Sequence, residues 1–206
     1  MLSERYDSWF RINPILAENE LRVLLSLGLK GLGLEVGVGS GWFASRLNVS
    51  IGIDPSISML KLAHKRGIEV IRAIGERLPF RDNAFDYALL IVTLCFVDNP
   101  SEVLAEVARV VKTNGFVVAC IIPRDSAWGH YYMKLGEQGH PFYRIAKFYT
   151  INEIERLFTK VGLRIEDHRA TLSFKPWDKP VDEEPSRDIR GKGFVCIVAS
   201  KRHYQE

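Results

Sequence analysis

Short runs of β-branched and other apolar residues recur along the first three fifths of the chain, separated by more polar stretches. The runs at residues 33–36, 51–54, 68–73, 87–92 and 116–122 each have the length of a buried strand. Segments with helical spacing of apolar residues lie between them. Strands that alternate with helices of this length predict right-handed parallel βαβ units, and therefore a sheet covered by helices.

The ends of the predicted helices carry residues that commonly start or stop a helix. One helix begins with Asn13 as its N-cap, followed by a proline, and ends at Gly28. A second is predicted over residues 56–67. A third, over residues 99–115, opens with an asparagine and a glutamate three residues apart, a capping box, and stops at an Asn-Gly pair.

The last third of the chain predicts one more helix and two more strands. Thr150 and Glu153 form a capping box at the start of an amphipathic helix. Strand candidates follow at residues 163–168, with a possible extension to 174, and at residues 194–200. The linker 175–193 is proline-rich and charged, so we predict an antiparallel hairpin with a long, mobile connection. The whole pattern predicts an α/β fold with a mostly parallel seven-stranded sheet and helices on both faces.

Composition places the chain among ordinary globular proteins. It has 206 residues, 47% of them apolar, and a formal net charge of +3 at pH 7. This apolar fraction is too high for disorder, and a surplus of three charges does not call for nucleic acid or an anionic membrane as a partner. No apolar run reaches the ~18 residues that a membrane span needs. A monomer and a homodimer both remain open.

Cysteine usage and the N-terminal pattern predict a reduced, cytoplasmic protein. The N-terminal residues show no signal-peptide pattern. Cys95, Cys120 and Cys196 lie far apart inside apolar runs, without metal-binding spacing. We therefore expect three free cysteines that behave as small buried hydrophobes, and no metal site.

The strongest motif is a glycine loop between the first strand and the following helix. It reads E-x-G-x-G-x-G from Glu35 to Gly41, and Asp54 follows at the tip of the next strand. Glycines allow a tight turn and the close approach of a ligand to main-chain atoms, while an acid at this position can accept both hydroxyls of a ribose. A dinucleotide fingerprint would need glycine where the chain has Trp42. Glu35 at the mouth of the loop would suit a pyrophosphate poorly but would tolerate a sulfonium and an α-amino group. The pattern therefore predicts a ribose-containing ligand and disfavours a nicotinamide dinucleotide.

On this loop and on four further motifs, the sequence resembles the class I S-adenosylmethionine-dependent methyltransferases. The family has an acid after the second strand, here Asp54, and a G-D-A-E-x-L-P-F segment, here residues 73–80. Its S-F-D-x-V and R-V-L-K-P-G-G segments correspond to residues 84–88 and 109–115. The similarity is greatest to the small-molecule branch that includes ubiquinone- and menaquinone-biosynthesis methyltransferases. It implies a Rossmann-like, doubly wound sheet, S-adenosylmethionine as cofactor and S-adenosylhomocysteine as product.

The resemblance also implies which residues hold the cofactor. Glu35 and Gly37 would face its methionine end, Asp54 its ribose hydroxyls, and Thr93 the region of the transferable methyl group. Where the family often has an aspartate for the adenine amino group, this chain has Ile74, so backbone groups or Glu76 would serve there. The complete predicted set is Glu35, Gly37, Gly39, Gly41, Asp54, Pro55, Ile74, Gly75, Glu76 and Thr93.

The chain is predicted to be a single domain that consists of four segments. They are an N-terminal helical cap (1–30), a cofactor-binding half (31–123), a lid-like insertion (124–150) and a C-terminal helix with a strand hairpin (151–206).

Two aromatic segments are candidates for contact with the methyl acceptor. Residues 6–10, YDSWF, resemble an element that covers the cofactor in relatives, or they anchor the first helix on the sheet. Within the aromatic segment 124–148, His130, Tyr132 and His140 are candidate general bases, although a packing or surface role is the more common one for any single residue of this kind. Cys95 lies close to the predicted methyl position, without a second residue to support thiol chemistry.

The sequence therefore predicts in-line methyl transfer to a small molecule, with two alternatives. One is a methyltransferase-like protein that binds cofactor or a partner without turnover, and the other is a nicotinamide-dependent oxidoreductase. Methylation of nucleic acid is not expected, because residues 93–96 do not match the D/N-P-P-Y/F tetrapeptide of base methyltransferases.

Overall fold

The structure is a computed structural model that describes residues 2–201. Met1 and residues 202–206, at the ends of the predicted cap and hairpin segments, lie outside the described residues. The strands are β1 (Gly33–Val36), β2 (Ile51–Asp54), β3 (Glu69–Arg72), β4 (Phe85–Ile91), β5 (Val111–Ile121), β6 (Leu163–Thr171) and β7 (Phe194–Lys201). The helices are α1 (Leu2–Ile12), α2 (Pro14–Leu25), α3 (Trp42–Leu47), α4 (Ile57–Lys65), α5 (Pro100–Val110), α6 (Ala127–Glu137) and α7 (Ile151–Lys160).

The strands form one seven-stranded sheet in the order β3-β2-β1-β4-β5-β7-β6. β1 to β5 run parallel to one another, whereas β7 is antiparallel to both β5 and β6. This confirms the predicted fold class, including the antiparallel C-terminal hairpin. The strand order reverses direction beside β1, so the carboxyl ends of β1 and β4 border the crevice where open α/β sheets bind ligands.

Helices cover both faces of the sheet. On one face α5 and α7 contribute buried side chains such as Val107 and Phe158. On the other face α2, α3, α4 and α6 bury side chains such as Leu21, Phe43 and Trp128. Burial on both sides explains why the central strands are almost continuously apolar.

The helix ends agree with the sequence prediction in part. Thr150 and Glu153 form the full capping box at the start of α7. At α5 the Asn99 side chain accepts from the Glu102 N–H, but the Asn99 N–H donates to Glu76 instead of closing a box. The Asn13 amide does not cap α2; it donates to a carbonyl of α1.

The third predicted helix ends earlier than the sequence suggested. α5 stops at Val110 and β5 begins at the next residue, Val111, so the Asn-Gly pair lies inside the strand. Asn114 there has a φ of 64°, and the pairing of β4 with β5 shifts register at its start. The pair therefore produces an irregularity in β5 rather than a helix stop.

The expectation of three free cysteines is wrong for two of them. Cys120 on β5 and Cys196 on β7 are directly opposite each other in the antiparallel pair and form a disulfide. They are 76 residues apart in sequence. The pairing is set by strand register, which no local spacing of cysteines reveals. Cys95 is free, as predicted.

The connection between β6 and β7 is held against the protein rather than mobile as predicted. The Asn19 side chain accepts from the backbone N–H of Glu183, at 3.0 Å. Arg22 forms an ion pair of 2.8 Å with Asp182. The Glu183 carboxylate in turn accepts from the Ser173 N–H, so polar residues of α2 and of the connection itself fix this segment.

Candidate functional site

The glycine loop joins β1 to α3 at the carboxyl edge of the sheet. The N–H groups of Gly37 and Val38 both donate to the Ile53 carbonyl, at 2.9 and 2.8 Å, which ties the loop to the end of β2. Gly37, Gly39 and Gly41 have φ angles of 75°, 52° and 73°. Such left-handed positions favour glycine, so the loop turns as the motif predicted.

The three glycines nevertheless meet different neighbours. A Cβ on Gly37 would lie 2.4 Å from the Thr93 side chain, and one on Gly41 would lie 2.9 Å from Ala63 in α4. Around Gly39 the nearest atom belongs to Tyr6, at 3.6 Å from such a Cβ. Gly41 thus serves helix packing, whereas Gly39 presents bare backbone beneath the Tyr6 ring.

Asp54 stands at the tip of β2 with its carboxylate turned back over the loop. It accepts from the N–H of Gly39 at 3.0 Å and from the N–H of Ser56 at 2.8 Å. Burial raises the pKa of Asp54, and the two backbone hydrogen bonds oppose the rise. Pro55, the next residue in the predicted set, is exposed. The structure therefore brings Asp54 directly beside the glycine loop.

Glu35 is a buried carboxylate in the centre of β1. Its side chain is 2% exposed, and Oε2 has no hydrogen-bond partner among the described residues. Burial raises its pKa well above the ordinary value, and the nearby Asp54 charge raises it further. A buried acid without a protein partner fits a ligand that brings a cationic group, such as the amino group of a bound methionine moiety.

The segment after β3 forms the other border of the crevice. Ile74 is 52% exposed, and Gly75 is packed against Val103. One Glu76 oxygen accepts from the N–H groups of Asp98 and Asn99, at 3.1 and 3.3 Å. Glu76 thus stabilises the start of α5, a role that its sequence position did not reveal, and this oxygen is not free for a ligand.

The N-terminal aromatic segment, residues 6–10, has both of the roles that the sequence left as alternatives: it covers the loop and it anchors the first helix. Tyr6 lies over the loop at Gly39, and burial together with Glu35 raises its pKa. Phe10 instead stacks on Trp42, with the ring centroids 4.5 Å apart, and so anchors α1. Trp42 is therefore part of the core beneath α1.

A cavity of about 270 Å³ opens beside the loop, at the carboxyl ends of β4 and β5. Ile91, Val92 and Ile122 come from the strand ends, and side chains of α1 and of α6 with its following turn enclose them. The aromatic members of the lining are Tyr6, Trp9, Phe10, Phe43, Phe96, Tyr132, Phe142 and Tyr143. Thr93, at the end of β4, donates its hydroxyl to the Val36 carbonyl at 3.0 Å and so joins this region to the loop.

The three candidate bases are in different surroundings. Tyr132 and His140 line the cavity, whereas His130 is on the exposed face of α6 and does not line it. Burial raises the pKa of Tyr132 well above its ordinary value. His140 stacks on Tyr143, and burial followed by the Arg5 charge lowers its pKa. His130 is therefore not placed to act on a molecule in this cavity.

The structure disfavours Cys95 as a reactive group and adds Glu20 to the candidate site residues. Cys95 donates its thiol to the Val92 carbonyl, and burial raises its pKa to about 12, which disfavours the reactive thiolate. Glu20, which sequence reasoning missed, lies in the cavity wall. Its signal was spacing: Leu16, Glu20 and Leu24 are four residues apart on one face of α2, so the acid interrupts an apolar stripe.

Between residues 2 and 201 no group of three or more His, Cys, Asp or Glu side chains is arranged to hold a metal ion. Nor does any helix in that range have the length and apolar character required to cross a bilayer.

Comparisons with known proteins agree with the fold and the loop. A family model described as "Methyltransferase domain" matches residues 34–119. A solved S-adenosylmethionine-dependent methyltransferase from Thermotoga maritima, described as a possible histamine N-methyltransferase, is 34% identical with a TM-score of 0.90, over 97% of this chain and 95% of that chain. An uncharacterized protein of Methanocaldococcus jannaschii is 40% identical over 200 residues, 97% of this chain and 96% of that protein. The demethylmenaquinone methyltransferase of Staphylococcus aureus is 29% identical over 215 residues, 95% of this chain and 83% of that protein.

These similarities extend over nearly the whole chain and include its glycine loop. The orphaned Glu35 oxygen and the bare backbone at Gly39 fit the cofactor that this family uses. The chain belongs to the class I S-adenosylmethionine-dependent methyltransferases, with S-adenosylmethionine as its cofactor.

Proposed function

We propose that the protein transfers a methyl group to a small-molecule acceptor by in-line displacement. The observation that carries the proposal is the partly open aromatic cavity at the ends of β4 and β5, next to the glycine loop. Its volume of about 270 Å³ is near the lower end of the roughly 300–1,000 Å³ of typical small-ligand pockets.

The cofactor-binding residues are proposed from the geometry of the loop. Glu35 would pair with the amino group of the cofactor, Asp54 would accept the ribose hydroxyls, and the backbone at Gly39 would lie beneath the ribose. When bound, S-adenosylmethionine supplies a methyl group on a positively charged sulfur. Exposed Ile74 and Ile57, after β3 and β2, offer apolar surface to the adenine ring, while Gly75 supplies backbone groups.

The protein's own contribution would be positioning and the exclusion of water. Methyl transfer needs the acceptor atom and the methyl group in line at ~3–3.5 Å, and no fixed catalytic triad. Tyr6 lines the cavity and also lies over Gly39, so it borders both the acceptor space and the cofactor loop. We propose that segment 124–150, which supplies Tyr132 and Tyr143, closes the cavity over the acceptor.

The named relatives do not specify one acceptor. One is described as a possible histamine N-methyltransferase and another as a demethylmenaquinone methyltransferase, so their acceptors are different molecules. The acceptor of this chain therefore has to be inferred from its own cavity.

Titration calorimetry with S-adenosylhomocysteine tests the cofactor site. We expect Asp54→Asn to weaken binding by about 10- to 150-fold, because charge-assisted hydrogen bonds contribute about 1.5–3 kcal/mol. Asp125→Asn, at an exposed position outside the cavity lining, is the control and should bind like the unmodified protein. Equal affinities for all three proteins would show that the ribose is held elsewhere.

Transfer of labelled methyl groups into a broad metabolite extract tests turnover. A labelled small molecule is expected. Binding of S-adenosylhomocysteine without any labelled product would favour the alternative, a methyltransferase-like protein that binds cofactor without turnover. Tight binding of NADH without S-adenosylhomocysteine binding would favour the oxidoreductase alternative.

A further inference from the structure

The acceptor cavity combines an aromatic wall with one acidic group. Glu20 is the only carboxylate, and Arg5 the only guanidinium, among the described residues that line it. Arg5 is exposed, whereas Glu20 is only 6% exposed. The interior of the cavity therefore contains a carboxylate but no fixed cation to balance it.

Glu20 has no partner of its own in the described part of the chain. Neither a hydrogen bond nor an ion pair there involves its carboxylate, although the neighbouring Asn19 and Arg22 are both paired with the β6–β7 connection. It influences the phenol groups of Tyr6, Tyr132 and Tyr143 electrostatically. A buried acid without a hydrogen-bond partner costs free energy, and no contact among the described residues offsets that cost for Glu20.

The groups around Glu20 leave room for a positive charge. Burial raises the pKa of Tyr6 and of Tyr132, and smaller electrostatic effects raise it further. Both phenols therefore stay protonated and neutral. The lowered pKa of His140 keeps its ring neutral as well. A cation in the cavity would thus meet one carboxylate and several neutral aromatic faces, which both attract it.

Resting on the proposed methyltransferase function, we propose that the acceptor is an amine on a small, largely apolar body, and that Glu20 binds its nitrogen. An acid or a phosphate would be repelled by Glu20. An alcohol would gain a hydrogen bond but not the ion pair or the cation–aromatic contacts.

Glu20 also supplies the proton balance for such an acceptor. The bound ammonium group first passes one proton to a Glu20 oxygen, which frees the nitrogen lone pair. That lone pair forms the new N–C bond, while the C–S bond breaks with its electron pair left on sulfur. Burial raises the pKa of Glu20 to about 8, closer to that of an amine than an exposed carboxylate would be, so this transfer is less unfavourable.

Binding calorimetry at about pH 8, with S-adenosylhomocysteine saturating, tests this inference. The probes are benzylamine, 2-phenylethylamine and tryptamine, each compared with the alcohol and the carboxylic acid of the same skeleton. We expect at least one amine to bind about 10- to 100-fold more tightly than its alcohol. Glu20→Gln should abolish that preference, and Glu20→Asp should restore part of it. Glu18→Gln, at an exposed position of the same helix, should keep it.

The outcomes separate this inference from the proposed function. If S-adenosylhomocysteine binds but no amine is preferred over its alcohol, or Glu20→Gln keeps the preference, the amine inference is wrong and the methyltransferase site stands. If S-adenosylhomocysteine fails to bind the unmodified protein, the proposed function fails, and the amine inference fails with it.

Discussion

Replacing Glu20 with glutamine should change how the stability of the folded protein depends on pH. Burial raises the pKa of Glu20 from 4.5 to about 8, so between these values the folded protein keeps a proton that the unfolded chain has released. Stability therefore falls as pH rises through this window, by about 1.4 kcal/mol per pH unit and up to about 5 kcal/mol in all. Glu20→Gln has no carboxylate to ionise and should lose this part of the pH dependence.

Urea denaturation at about pH 5, 7 and 9 measures the effect as a difference in free energy of unfolding. The gain in stability of Glu20→Gln over the unmodified protein should grow with pH, towards several kcal/mol. Glu35 also has a raised pKa, but it is present in both proteins and cancels in the difference. The phenols of Tyr6 and Tyr143 have raised pKa values and stay protonated in this range. Parallel pH profiles would refute the burial of an unpaired acid in the cavity, and Glu18→Gln should give such a parallel profile.

Two further predictions concern the glycine loop and the disulfide. Gly37→Ala should destabilise the protein by about 1–3 kcal/mol more than Gly28→Ala, because both positions have positive φ but only at Gly37 would the new Cβ meet Thr93, at 2.4 Å; equal urea midpoints would contradict this. In denaturant without reductant the chain should show one reactive thiol, and three after reduction, since Cys120 and Cys196 are paired. Reduction should lower the free energy of unfolding by about 4–5 kcal/mol, the loop-closure value for a separation of 76 residues. Three reactive thiols before reduction would contradict the disulfide.

The parts of the fold that could be predicted were those encoded in local patterns. Apolar runs located the seven strands to within about three residues, except that β5 begins at Val111 instead of residue 116. Alternation with helices required the parallel order of the first five. The capping box at Thr150 fixed the start of α7 because both of its partners lie within one turn. The Asn-Gly pair at 114–115 led to a wrong prediction of the helix end, because the same dipeptide suits a strand irregularity as well as a helix stop.

Contacts between distant segments could not be predicted in this way. The disulfide joins residues from two separate apolar runs. Each run would show the same apolar pattern if its cysteine were free, so the pattern does not reveal the pairing. The connection between β6 and β7 is polar and proline-rich, which favours mobility, yet Asn19 and Arg22 on α2 hold it. Glu76 illustrates the same limit at the site: its family position suggests adenine, whereas the fold places it over the start of α5.

Glu20 shows why a substrate site is harder to predict than a cofactor site. The cofactor loop repeats a backbone conformation, and its glycines mark that conformation in any sequence. The acceptor cavity has no such requirement, since any helix that faces it can supply one polar group. In α2 that group is a single charge on an otherwise apolar stripe, with Leu16 and Leu24 one turn away on either side. A charge at such a position usually indicates an imperfect amphipathic helix. Here it becomes informative because Glu20 lines a cavity, whereas Leu16 and Leu24 are packed in the hydrophobic core.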